Sequence, residues 1–278
     1  MRTVDFSKAP LQAQAGAMVV VEAGRSEGVH VSPGVSARRA RRSEGVVWLA
    51  RIRRRRRHGV ITCFRTRDQA EAFVAGLDAG WSTRVLVAEQ SGYSNGVWRA
   101  EGDVMAHIER FTPTTAEREG HREPPVVEGR VDMRRARAQR QDSGERALRE
   151  RLESTPVTDS TAMFIGATRY RGPRALRVLS RTWYPMVSRM EGLTGYVWHR
   201  VYWEPPFTLG TLAFFRSRDD LLGFARMPAH RLLMQWITRD RRNGTAGYIR
   251  LHVDPQATPP AHPLDGQTAA DHPTEVRG

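Results

Sequence analysis

The sequence predicts an α+β protein: tandem ferredoxin-like units forming a dimeric α+β barrel, a pseudo-dimer within one chain. Three observations predict it. The chain has 278 residues, 40% of them hydrophobic, which is enough for two cores because single domains usually occupy about 100 to 200 residues. A motif recurs: Phe64-Arg65-Thr66-Arg67-Asp68 followed by Phe73 matches Phe215-Arg216-Ser217-Arg218-Asp219 followed by Phe224, an offset of 151. Upstream, Gly45-Val46-Val47-Trp48 matches Gly195-Tyr196-Val197-Trp198 at an offset of 150. Each half also reads as a βαββαβ unit, whose helices cover one sheet face and leave the other bare. That bare face has to be buried, and two copies in one chain can bury it against each other.

In the second half the first strand is Ala162 to Thr168, rich in β-favouring residues. Pro173, a good first-turn residue, opens a helix that runs to Met190, with Leu176, Leu179, Trp183, Val187 and Met190 in one stripe. Gly192 and Gly195 end it. Strands Tyr196 to Trp203 and Thr208 to Phe215 are joined through a turn at Pro205-Pro206. Ser217 is placed to cap a short helix that breaks at Pro228; a second short helix follows from Ala229 to about Arg239, then the strand Gly247 to Val253. In the first half the helical segment Gly34 to Arg42 is short and weakly apolar. The expected organisation is a first unit over 1–111, a charged linker over 112–160 with one helix from Glu145 to Glu153, a second unit over 161–254, and a proline-rich disordered tail over 255–278.

The net charge is +14, which ordinarily suggests polyanion partners. Here 43 of the 44 basic residues are arginines, Lys8 being the one lysine, a bias that fits a G+C-rich genome. The single cysteine, Cys63, lies in an apolar run and forms no intrachain disulfide, so a reducing cytoplasm is expected. The first residues show no basic segment followed by a sustained apolar stretch, and the longest apolar run there, Ala17 to Val21, is far too short to span a bilayer, so neither export nor membrane insertion is expected. Ten arginines between Arg38 and Arg57, opposed only by Glu44, could bind nucleic acid or an anionic membrane surface. No RNA-binding motif with stacking aromatics accompanies them, and a solvated hairpin tip is the expected reading.

A Walker loop, GxGxxG, CxxC, HExxH and GxSxG are all absent, which excludes the enzyme classes they mark. One dense segment remains, Phe224 through Trp236, in which His230, Leu233, Met234 and Ile237 share one helical face. A histidine there is either a ligand or an imidazole satisfied by a backbone carbonyl in the core or on its rim. From Ala167-Thr168-Arg169, through Trp183-Tyr184-Pro185 and Glu204-Pro205-Pro206, to Phe224-Ala225-Arg226 and Pro228-Ala229-His230, residues 162–253 resemble the spheroidene monooxygenase family of carotenoid ketolases. These are haem-dependent oxygenases on a dimeric-barrel-like scaffold.

The resemblance implies a haem between the two sheets with His230 as its axial ligand. Arg226 and Arg231 are candidates for pairing with the haem propionates, beside the plainer reading of solvated arginines. His199 and Arg169 are candidates for the distal, oxygen-facing side. Trp183, Phe215 and Trp236 are candidates for the wall of a substrate pocket, or for core packing. Glu204 reads as a turn residue. The expected function is a haem-dependent monooxygenase-like enzyme hydroxylating or ketolating an apolar, isoprenoid or polyketide-like molecule, with a possible electron donor as partner and a monomeric or homodimeric state. One haem per chain is expected, because the position 151 residues before His230 is Ala79. The alternatives are a cofactor-independent monooxygenase of the antibiotic-biosynthesis type and a noncatalytic polyanion-binding protein.

Overall fold

A computed structural model describes residues 2–24, 33–54, 57–78, 80–98, 150–230, 233–234 and 243–257. The first part of the chain contains β1 (Arg2–Thr3), α1 (Leu11–Gln14), β2 (Ala17–Gly24), α2 (Pro33–Arg42), β3 (Val46–Arg53), β4 (Arg57–Phe64), α3 (Arg67–Ala75), β5 (Ser82–Ala88) and β6 (Gly92–Gly96). A 3-10 turn at Val157–Asp159 precedes β7 (Ala162–Tyr170), α4 (Pro173–Met190), β8 (Tyr196–Glu204), β9 (Thr208–Phe215), α5 (Arg218–Ala225) and β10 (Gly244–Val253). The expected linker from 112 to 149 and the tail from 258 lie outside the described residues; of the linker helix, 150–154 is seen.

All pairings are antiparallel, in the order β3-β4-β2-β5-β10-β7-β9-β8, with β6 along the rest of β10 and β1 beside β6. Reading outward from the β5–β10 junction, the order β5-β2-β4-β3 on one side matches β10-β7-β9-β8 on the other, with β1 and β6 outside this match. The same local chemistry sits at equivalent points. Thr66 accepts a hydrogen bond from the Gln69 amide to cap α3, and Ser217 accepts one from the Asp220 amide to cap α5. Gly45 and Gly195 both adopt positive φ, 75° and 68°, where an added Cβ would strike Gln69 and Asp220 of those same helices.

Strand alternation sends side chains to two faces. On β2, Ala17, Val19 and Val21 pack with Phe64, Phe73 and Ala40 under α2 and α3, whereas Met18 and Val20 face the opposite way. The sheet curls so that its two end strands meet. Trp48 of β3 lies 5.4 Å from Tyr202 of β8, centroid to centroid, and Arg200 of β8 donates to the Arg51 carbonyl of β3 at 2.5 Å. Inside the curl Met18, Ile52, Ile61 and Leu86 of the first half meet Met163, Ile165, Leu212 and Phe214 of the second. Each such large side chain contributes about 1.5–3 kcal/mol when fully buried. The interior is thus packed core.

At one end of this interior Arg54 is 7% exposed and pairs with the fully buried Glu22 at 3.8 Å; Arg57 approaches the same carboxylate at 3.9 Å and the Val157 amide donates to it at 2.6 Å. The expected solvated hairpin tip is therefore corrected for Arg54, which is drawn inward by a carboxylate more than thirty positions away in sequence. Among the described residues no helix is long and apolar enough to cross a membrane.

Candidate functional site

A cavity of about 380 Å³ lies on the helix-covered face of the second half. Its floor is β7 and β10, through Phe164, Gly166, Thr168, Gly247 and Ile249. Its roof is α4 and α5, through Trp183, Leu221, Leu222 and Arg226. His230 and Met234 close one side, and β6, through Ser94 and Asn95, closes the other. β10 is the element that brings these parts together, since it carries β7 on one edge and β6 on the other.

Phe224, 1% exposed, anchors the roof. It stacks on Phe164 at 5.5 Å and 6° between planes, with Phe215 at 6.5 Å and His230 at 5.0 Å around it. α5 ends at Ala225 and Pro228 starts a new helical turn, so the chain folds back and brings His230 under the end of α5. There His230 Nδ1 lies 3.2 Å from the Ala225 carbonyl, one of the acceptors a helix C-terminus leaves unused. That contact assigns the proton to Nδ1 and leaves the Nε2 lone pair free. Burial pushes the His230 pKa down to about 4, opposed only weakly by the carbonyl. The ring is neutral at pH 7.

Two further polar atoms have no hydrogen-bond partner among the described residues, Trp183 Nε1 and Asn95 Oδ1, both buried. At the rim Arg218 donates through Nε to Glu89 at 2.6 Å and through Nη2 at 3.3 Å. Arg226 is exposed beside it.

The structure thus brings His230, Arg226 and Trp183 to one cavity. Arg231 and Trp236 lie outside the described residues. The expected location between the two sheets is corrected: the cavity is on the other face of the second half, because the space between the halves is filled by apolar side chains. Phe215 is fully buried behind Phe224 and does not line the cavity. Arg169 has the inward parity of Met163 and Ile165 but is exposed near the end of β7. His199 is corrected as well. A bulge between Tyr196 and Trp198 shifts the alternation of β8, so Val197 joins the interior cluster while Val201 joins the helix-side cluster. His199 accordingly pairs with Tyr196, whose hydroxyl is 2.6 Å from Nδ1, and burial pushes its pKa down to about 4, away from the cavity. Glu204 ends its strand as expected, and also accepts a 2.9 Å hydrogen bond from Gln12.

Sequence reading missed Asn95 and Gly247. Neither carries a local signal, since each matters only because β6 of the first part docks on β10 of the second, with Asn95 opposite Gly247. Among the described residues no group of three or more His, Cys, Asp or Glu could hold a metal ion.

No family model matches this chain, and no curated protein matches it. Solved structures do. Two that carry the name "putative monooxygenase", from Fusobacterium nucleatum and from Lactobacillus acidophilus, each match at 8% identity over 86% of this chain and 93% of theirs, with TM-scores of 0.31 and 0.30. An anthrone oxidase-like protein matches at 8% identity over 87% of this chain and 92% of its own, with a TM-score of 0.31. At these values the function has to be argued from the site itself.

Proposed function

We propose that the cavity is the substrate site of a monooxygenase-type enzyme acting on an apolar small molecule, with His230 Nε2 as the group that meets the reacting end. The observation that carries this is the imidazole itself: a ring held at Nδ1 by the Ala225 carbonyl, with its other nitrogen left to accept, on a residue that lines a cavity with mostly apolar walls. A volume of about 380 Å³ lies near the lower end of the range of about 300–1,000 Å³ for small-molecule pockets. It suits a molecule of two or three fused rings or a short isoprenoid. In the reaction a substrate C–H becomes C–OH, and the second oxygen atom of O2 leaves as water. The two electrons and two protons needed come from the substrate itself, whose new CH–OH carbon is oxidised on to C=O, so that CH2 and O2 give C=O and one water. His230 accepts a hydrogen bond, and then a proton, as the substrate loses electrons. With its pKa lowered to about 4 the part-buried ring is neutral at pH 7 and open to accept a hydrogen bond, and proton uptake on it has to be driven by the proton's acidity rising as the substrate is oxidised. Under the same reading the two halves are tandem copies of one ferredoxin-like unit, an inference supported by their shared strand order and shared helix caps.

A haem-bearing form is a second reading, and the donor chemistry favours it: a neutral imidazole whose other nitrogen is fixed by a carbonyl is how a protein presents an axial ligand. The space does not. The cavity bounded by the described residues, about 380 Å³, is smaller than a whole porphyrin requires. The two readings separate in one preparation. Oxygen uptake with an electron-rich aromatic substrate should persist in haem-free, metal-free protein and fall at least tenfold in His230→Ala. Uptake that appears only after haemin loading, with a Soret band displaced by His230→Ala, selects the second reading. If neither occurs, His230 has no catalytic part.

A further inference from the structure

We infer that the end of α2 is a second ligand site, apart from the cavity and independent of how the cavity is read: a basic depression that takes a compact anion carrying two or more linked phosphates. Arg38, Arg39, Arg42 and Ser43 line an open depression of about 510 Å³ there, with three guanidinium groups and no carboxylate among its lining residues. The helix presents them because it packs on the sheet through alanines. Ala37 and Ala40 are buried, which leaves Arg38, Arg39, Arg41 and Arg42 exposed, and α2 contains no acidic residue to offset them. Among the described residues no carboxylate pairs with any of the four. Arginines in a last turn are favoured by the helix dipole, which accounts for part of this cluster. Arg38 and Arg42 stand four positions apart, however, and like charges at that spacing weaken a helix. An anion held between them turns the repulsion into attraction. Arg39 is seated rather than loose: a Cβ built on Gly76, the residue that ends α3, would lie 2.6 Å from its Nη2. Gly76 has φ −86°, which any residue adopts, so its missing side chain provides room for the guanidinium. The Ser43 hydroxyl is committed to the Arg39 carbonyl at 3.0 Å, so the donors left for a ligand are guanidinium N–H groups, whose planar forks match phosphate oxygens. One phosphate group carries about −1.5 to −2 at pH 7 and leaves part of three positive charges unanswered, whereas two linked phosphates match them. A nucleic-acid duplex spreads its charge along a line, and these three groups converge on one depression.

The test is calorimetric titration of the full chain with inorganic pyrophosphate, inorganic phosphate and a short DNA duplex. Pyrophosphate is expected to bind once per chain, about tenfold or more tighter than phosphate. Arg38→Gln and Arg42→Gln should each weaken it about fivefold or more. Gly76→Ala keeps every charge and only pushes the Arg39 guanidinium aside, and should weaken it about threefold. Arg174→Gln combined with Arg177→Gln, which removes two exposed charges from α4 instead, should leave pyrophosphate binding within about twofold of wild type, because charges beyond a Debye length are screened. Urea unfolding provides a check that the variants fold: without ligand the Arg38→Gln/Arg42→Gln double variant should be at least as stable as wild type, and pyrophosphate should raise the midpoint of wild type only. An equal loss in the α4 control, or several pyrophosphates bound per chain, would show diffuse attraction to a basic protein and overturn the site. Absence of pyrophosphate binding overturns it too. Duplex DNA that binds more tightly than pyrophosphate, and loses that affinity in the Arg38→Gln/Arg42→Gln variant, would make this face part of a nucleic-acid surface and overturn the compact-anion assignment.

Discussion

His252 gives this protein an acid sensitivity that can be worked out from its surroundings. The ring is fully buried on β10, and among the described residues neither nitrogen makes a hydrogen bond of ordinary geometry, although the Ala15 backbone lies close enough to oppose the shift in part. Burial first, and the nearby Arg250 guanidinium second, push its pKa down to about 3. Arg250 itself is held by the Ala13 and Glu89 carbonyls, at 3.0 and 3.4 Å, so it cannot swing away. In the unfolded chain the imidazole titrates near 6.5. Between those values the unfolded state binds a proton that the folded state refuses. The stability from keeping this ring neutral is therefore fully present above about pH 6.5 and is lost as the pH falls toward 3. At pH 4.5 the ring is about two pH units below its unfolded pKa, and at 1.36 kcal/mol per unit the loss is about 3 kcal/mol. His252→Leu removes the titration without adding a polar group. Urea unfolding of both proteins at pH 7.5 and 4.5 should show wild type losing about 3 kcal/mol more than the variant. His199 and His230, also depressed to about 4, remain in both proteins and cancel. Equal losses in the two proteins would show that position 252 is not an uncompensated buried imidazole.

Glu22→Leu strands the buried Arg54 guanidinium beside Arg57, and a loss of about 3–5 kcal/mol is expected in urea unfolding. Glu22→Gln, which still accepts from the Val157 amide, should lose less; equal losses would mean that the charge accounts for the whole effect and the Val157 hydrogen bond for none of it. Phe224→Ala opens a hole between Phe164, Phe215 and His230 and is expected to cost about 3–5 kcal/mol, measured the same way. A cost below about 1 kcal/mol would show that the roof of the cavity is not packed on this ring.

By itself the sequence determined the local elements wherever a few neighbouring residues decide the outcome. Pro173 and the apolar stripe to Met190 placed α4 at the bounds it has, Pro205-Pro206 marked the β8–β9 turn, and Ser217 marked the cap of α5. The recurrence at an offset of 151 was legible for the same reason, as were His230 and Trp183 as candidates. Only the tertiary structure decided which way those candidates face. The face that a strand residue takes depends on an unbroken alternation of two, and the Tyr196–Trp198 bulge that turns His199 toward the helices has no signature in the residues themselves. The space between the halves could have been a cavity or a core, and the summed volumes of side chains from eight strands made it a core. Asn95 joins Trp183 and His230 because β6 finds the free edge of β10 more than 140 positions later in the chain. Contacts of that range are set by long-range packing and hydrogen bonding, not by spacing along the chain.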